Sequence, residues 1–153
     1  MRQALGGNRG TLLMGVVAAG LMFAGAGLQG AAAQDAVSIG TTESAGNTYL
    51  VDGNGMPLYT FDFDTRMSGD TAAVSKCSGP CAAIWVPLVG AAQAGDGVDA
   101  GMIGSFDRED GGTQVLYNGW PLYVGQPQSG SGQNPRAGWY LIQPNGERLR
   151  ITG

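Results

Sequence analysis

The chain has 153 residues, with twelve Asp and Glu against eight Lys and Arg, a formal net charge of −4 and no histidine. The missing imidazole removes the commonest general base, the commonest zinc ligand and the usual axial ligand of haem. An acidic surface without a basic cluster repels phosphate backbones and anionic membrane surfaces, so nucleic acid is excluded as an expected partner.

Arg2 and Arg9 precede an apolar run from Leu12 to Ala26, and Ala31-Ala32-Ala33 offers the small-x-small pattern that a signal peptidase reads. This order predicts a signal peptide over 1–33, cleaved after Ala33. The run falls short of the roughly 20 residues of a membrane span and no basic stop follows it, so no stable anchor is expected after cleavage. From Gln34 onward, 120 residues carry twelve acidic and six basic side chains, a net charge of −6. That length is one domain's worth.

Residues 34–48 are expected to be a flexible mature N-terminus, although Val37 to Thr41 alternates as a short strand would. A single β-rich domain follows over 49–153. Tyr49 to Asp52 reads as a strand, Gly53-Asn54-Gly55 as a turn and Leu58 to Phe63 as the returning strand, in which Tyr59, Phe61 and Phe63 fall on one face. Asn-Gly between such runs signals a hairpin, because both residues tolerate the positive φ of a tight turn. Thr65 to Gly79 is polar and rich in turn residues. Pro80 suits the first turn of a short helix beside Cys77 and Cys81, and Gly90 to Gly101 is a loop without periodicity.

Asp107 to Gly112 reads as a charged turn. A second hairpin runs through Thr113–Tyr117, Asn118-Gly119 and Trp120–Val124. Gln126 to Gly138 is a long Gly/Ser/Pro loop, and Trp139–Ile142 with Glu147–Ile151 form a third hairpin around Pro144-Asn145-Gly146. The expected fold is all-β or β-dominated: a small antiparallel sandwich or partly open barrel of two related hairpin units, with one short helical turn near the cysteine pair.

The two units are written in the sequence. Asn54-Gly55-Met56-Pro57-Leu58-Tyr59 returns as Asn118-Gly119-Trp120-Pro121-Leu122-Tyr123, which predicts two pseudo-repeats, 49–89 and 113–142. Tyr59-Thr60-Phe61-Asp62-Phe63-Asp64, with Gly55 and Pro57-Leu58 before it and Cys77, Gly79, Cys81-Ala82, Trp85 and Pro87 after it, resembles a bacterial family of secreted repeat proteins and predicted lipoproteins. The family is named for its Tyr-x-(Phe/Trp/Tyr)-x-x-Asp motif. Tyr117 to Tyr123 and Gly138-Trp139 resemble its second copy. There Val124 to Gln128 supplies neither the aromatic nor the aspartate, so Tyr59, Phe61 and Asp64 form the motif once. The resemblance implies a compartment and an architecture rather than a reaction. No lipidation cysteine precedes Cys77, so membrane attachment does not carry over.

Cys77 and Cys81 are the only cysteines, four residues apart within disulfide reach on a helical turn. In an oxidising compartment they read first as a structural bridge, with a redox-active pair or a metal site as the other readings. Asp62, Asp64 and Asp70 surround a turn-rich segment. Arg66 stands where a calcium loop wants an oxygen ligand, so Asp64 is expected to accept backbone amides and hold the turn. Trp85, Trp120, Tyr123 and Trp139 read either as core packing or as a partly exposed platform for a sugar, a peptidoglycan fragment or a partner protein. No spacing singles out a nucleophile with its base or a pair of carboxylates. The expectation is an exported, soluble, non-catalytic binding or interaction module of the bacterial envelope, periplasmic or secreted, with no cofactor and no metal. Its partner is expected to be an envelope protein or a cell-wall component. The alternative is an accessory protein of periplasmic redox or metal handling.

Overall fold

A computed structural model describes residues 35–126 and 137–150. The predicted signal peptide, most of the Gln126–Gly138 loop and Ile151 lie outside the described residues. Strand β1 (Ala36–Ser44) turns through Ala45-Gly46 into β2 (Asn47–Asp52). Next come β3 (Leu58–Phe61), the five-residue helix α1 (Pro80–Ile84), β4 (Trp85–Pro87) and β5 (Ala91–Ala94). A 3-10 turn over Ala100–Met102 leads to β6 (Ile103–Asp107), β7 (Thr113–Tyr117), β8 (Trp120–Pro121) and β9 (Tyr123–Gly125). The last hairpin is β10 (Trp139–Ile142) with β11 (Arg148–Leu149).

The strands form three sheets, in the orders β2-β1-β5, β11-β10-β3-β9-β4 and β6-β7-β8, and none closes into a barrel. Every strand pair is antiparallel except β1 with β5. Over the described residues the fold is therefore strand-dominated, with one short helix at the cysteine pair, as the alternation and turn chemistry predict. The central sheet is apolar on both faces. Leu58 and Ile142 turn to a core with Ile39, Leu50, Leu88, Val115, Tyr117 and Leu122, while Tyr59, Tyr123, Trp139 and Leu141 turn to another with Tyr49, Val51, Cys77 and Trp85. Alternating side chains send each strand's neighbours to opposite faces, so one sheet serves two cores.

The flexible start expected over 34–48 is a correction. β1 is paired on both sides, with β2 and β5, and Ile39 is fully buried. The Gly90–Gly101 segment is likewise not all loop, since it contains β5. Small residues hide the pairing from a periodicity argument and also permit it. A Cβ on Gly95 would stand 2.8 Å from the Ile39 carbonyl oxygen, which instead accepts the Gly95 amide at 2.7 Å. β3 stops at Phe61, two residues short of expectation, because Asp62-Phe63 enter a turn.

The two copies of the repeat meet in the central sheet. β3 and β9 pair antiparallel, with Tyr59 directly opposite Tyr123 and Leu58 opposite Val124. Equivalent residues facing each other across an antiparallel pair place a local pseudo-twofold axis between the two tyrosines. The hairpins differ in their turns. Asn118 and Gly119 both have positive φ, 48° and 80°, and join Tyr117 to Trp120 as a two-residue turn. In the first copy Asp52 bonds Met56 across three residues, with only Gly55 at positive φ. At Leu122 the chain passes from β8 in the third sheet to β9 in the second, tying the sheets together.

Candidate functional site

Asp64 ends the first copy's motif and is buried. Its Oδ1 accepts the Lys76 amide at 2.7 Å, the turn-holding role expected of it. Its Oδ2 accepts the hydroxyl of Tyr123, from the second copy, at 2.7 Å, and the Ser75 hydroxyl meets the same phenol oxygen at 2.7 Å. Burial pushes the Asp64 carboxyl above its ordinary value, against the lowering effect of the Lys76 amide, the Tyr123 hydroxyl and the Arg108 charge. Burial, then the charge of Asp64, pushes the Tyr123 phenol well up, so it holds its proton.

Behind Ser75 lies Arg108, which the sequence placed in a charged turn and the fold turns inward to burial. Its Nη1 donates to Ser75 Oγ at 2.8 Å and to Gln114 Oε1 at 2.7 Å, and its Nη2 to the Cys77 carbonyl at 2.9 Å. Nε and Nη2 also grip Asp110 bidentately, Nε at 2.6 Å. That pairing holds the Asp110 carboxyl below its ordinary value. Gln114, fully buried in β7, passes its amide to the Leu122 carbonyl at 2.8 Å. One connected network thus runs from Asp110 through Arg108, Ser75 and Tyr123 to Asp64. Among the described residues no buried side-chain nitrogen or oxygen lacks a partner.

A cleft of about 330 Å³ opens onto this network. Ser75 and Arg108 give it a polar floor, Val74 and Phe106 an apolar wall, and exposed Ser78, Asp107, Glu109 and Asp110 a polar, mostly acidic rim. The volume is at the small end of the range for small-molecule sites. Val74, Ser75, Ser78, Phe106 and Arg108 were not singled out as candidates from the sequence, and Asp107, Glu109 and Asp110 were available carboxylates that no spacing paired. Loop residues 73–78 and the β6–β7 turn are some 30 positions apart, and a single Arg in a charged turn carries no sign of inward orientation.

The sequence candidates fall elsewhere. Trp85, Tyr123 and Trp139 are buried, so they do not form an exposed platform; of the four named rings only Trp120 is half-exposed. Trp85 stacks on Trp139 with centroids 4.0 Å apart, and Trp139 stacks on Phe61 at 4.3 Å. Phe61 meets Phe63 edge-on at 5.3 Å, and Phe63 is 72 % exposed. Tyr59 and Tyr123 pack their edges on this column, against Trp85 and Trp139 respectively. The motif's tyrosine and aromatic thus serve the column, and its aspartate serves the polar network. Cys77 and Cys81 are joined in a disulfide with Cα atoms 5.2 Å apart, Cys77 buried against the same core. Asp62, Asp64 and Asp70 do not converge: Asp62 pairs with Arg148, Asp64 is turned inward, and Asp70 sits exposed at the tip of the Thr65–Val74 hairpin.

Fold and site together define a small, disulfide-bonded β-domain in which two hairpin copies share one buried polar network. Residues 40–89, which hold the first copy through Val89, match the family model Lipoprotein_15, described as a secreted repeat of unknown function. This is the family that Tyr59, Phe61 and Asp64 resemble. No curated protein and no solved structure gives a match to the chain. Among the described residues no helix is long and apolar enough to cross a membrane.

Proposed function

We propose that the protein is an exported, non-catalytic binding module of the bacterial envelope whose ligand seats in the cleft over Arg108. The carrying observation is a 330 Å³ cleft whose polar floor is already hydrogen-bonded within the protein. Such a floor is rigid, so a ligand meets preorganised groups and spends little on ordering them. The chemistry supports recognition over reaction. The Ser75 hydroxyl is bonded to Tyr123, which keeps its proton, and to Arg108, which is a donor, so neither neighbour acts on it as a base. Phe106 and Val74 beside hydroxyls and carboxylates suit a hydroxylated ligand with one apolar face, as a sugar of the cell wall has. The family description as secreted supports export, and an oxidised Cys77–Cys81 pair suits a periplasmic or extracellular location.

The test is calorimetric titration of the mature, oxidised protein with soluble peptidoglycan fragments, beside a Val74→Trp variant that fills the cleft. The reading requires saturable binding to the parent that the folded variant loses. Equal binding by both would move the site elsewhere, and turnover of the fragments would replace the binding module with a hydrolase.

A further inference from the structure

Trp120, the half-exposed member of the predicted surface, carries a cation. The Arg148 guanidinium carbon lies 4.1 Å from the Trp120 ring centroid and 4.5 Å from that of Tyr140, and Arg150 stands 5.1 Å from the Tyr140 centroid. Arg150 Nη2 donates to the Tyr140 hydroxyl at 2.8 Å, and Arg148 Nη1 donates to Asp62 Oδ1 at 3.0 Å. Two of the six basic side chains from Gln34 onward therefore stand side by side on one face of a strongly acidic chain. Among the described residues the carboxylate bonded to them is Asp62; Glu147, next in sequence to Arg148, has its Oε2 accepting the Asn145 side-chain amide at 3.1 Å within its own turn.

Rings beneath a guanidinium engage its face and leave its N–H groups, which lie in the plane, for acceptors. Asp62 takes one of them, and among the described residues no other acceptor bonds the Arg148 guanidinium. An exposed pair of this kind contributes little to stability. It is well built for something else, because the rings fix a side chain that would otherwise lose rotamer entropy on binding.

We propose that Arg148 and Arg150, held by Trp120 and Tyr140, form a binding site for an oxyanion, the carboxylate or phosphate group of an anionic ligand. The site is separate from the cleft over Arg108. Asp62 is its internal competitor, occupying one guanidinium N–H until a ligand with better geometry arrives.

The test is an NMR titration of the mature, oxidised protein that follows the Trp120 indole and Arg148 Nε–H signals. Sodium glucuronate, inorganic phosphate and glucose are the probes, with sodium chloride as the ionic-strength control. A saturable shift with glucuronate supports a carboxylate ligand, one with phosphate supports a phosphate ligand, and glucose gives none. Losing one charge-assisted partner in Arg150→Gln weakens binding roughly three- to tenfold. Removing the competing carboxylate in Asp62→Asn tightens it roughly threefold. Arg148→Lys does not restore binding lost in Arg148→Gln, since an ammonium offers no planar fork. Shifts that only follow the chloride control, or a folded Arg148→Gln protein that titrates like the parent, would overturn the proposal.

Discussion

The carboxylate of Asp64 accepts the hydroxyl hydrogen of Tyr123 at 2.7 Å, joining the motif of the first repeat to the tyrosine of the second. This is why the motif's aspartate is needed only once. The second copy has Val124-Gly125-Gln126-Pro127 where the first has Thr60-Phe61-Asp62-Phe63, and its tyrosine borrows the first copy's carboxylate. Tyr123→Phe removes the hydroxyl that serves both Asp64 and Ser75, leaving buried polar atoms short of a partner. It should cost about 1–3 kcal/mol in urea unfolding. An unchanged midpoint would mean that the two copies are not coupled through this bond.

Arg108 and Asp110 should respond unequally although they form one salt bridge. Arg108→Met strips partners from Ser75, Gln114 and the Cys77 carbonyl at once and should cost about 3–5 kcal/mol. Asp110→Asn acts on a side chain that is 42 % exposed and should cost less than about 1 kcal/mol. Equal losses in denaturant titration would contradict the inward network.

The shifted carboxyls give opposite pH slopes. The folded Asp64 carboxyl titrates above its ordinary value, so the native state takes up its proton more readily than the unfolded chain. Relative to Asp64→Asn, the parent should therefore lose stability as pH rises from about 4 through the raised folded value. Asp110 is held below its ordinary value, so its contribution is present at neutral pH. That contribution is lost as pH falls below about 4, a slope that Asp110→Asn abolishes. Denaturation midpoints between acid and neutral pH check both signs.

The aromatic column grades from core to surface. Trp139→Ala empties the centre of the stack and should cost about 3–5 kcal/mol. Phe63→Ala, at the exposed end, should stay within about 0.5 kcal/mol, and half-buried Phe61→Ala should fall between them. A large loss at Phe63 in thermal unfolding would show that its exposure does not describe the native ensemble.

Much of the architecture is local and so legible in the sequence. Asn118-Gly119 makes its turn with both residues at positive φ, Asn145-Gly146 makes its own with Gly146 at positive φ and the Asn145 Oδ1 accepting the Glu147 amide, and Pro80 opens α1 where a missing amide costs nothing. The cysteine spacing predicts the bridge because four residues on one turn bring the Cα atoms within reach. What escaped was decided by distant partners. β5 has only Ala and Gln to display, and its strand character comes from β1. Trp85 and Trp139 look like platform residues until their mutual stacking is seen. Arg108 sits in an acidic turn whose outward direction is the ordinary expectation, and only Ser75, Cys77 and Gln114, brought together by the fold, turn it inward.

One strained position offers a gain. Ala45 stands at φ 51° in the two-residue turn between β1 and β2, a conformation that suits Asn or Gly better. Ala45→Asn should raise stability by about 1 kcal/mol, read as a higher melting temperature. A neutral or lower value would place the strain elsewhere.

The most direct test of the cleft as a recognition site is hydrogen exchange by mass spectrometry on the oxidised protein from Gln34 onward, with and without soluble peptidoglycan fragments. The account predicts added protection over 73–78 and 106–110, with the fragments recovered intact. Protection confined to other segments, or fragments recovered cleaved, would contradict it.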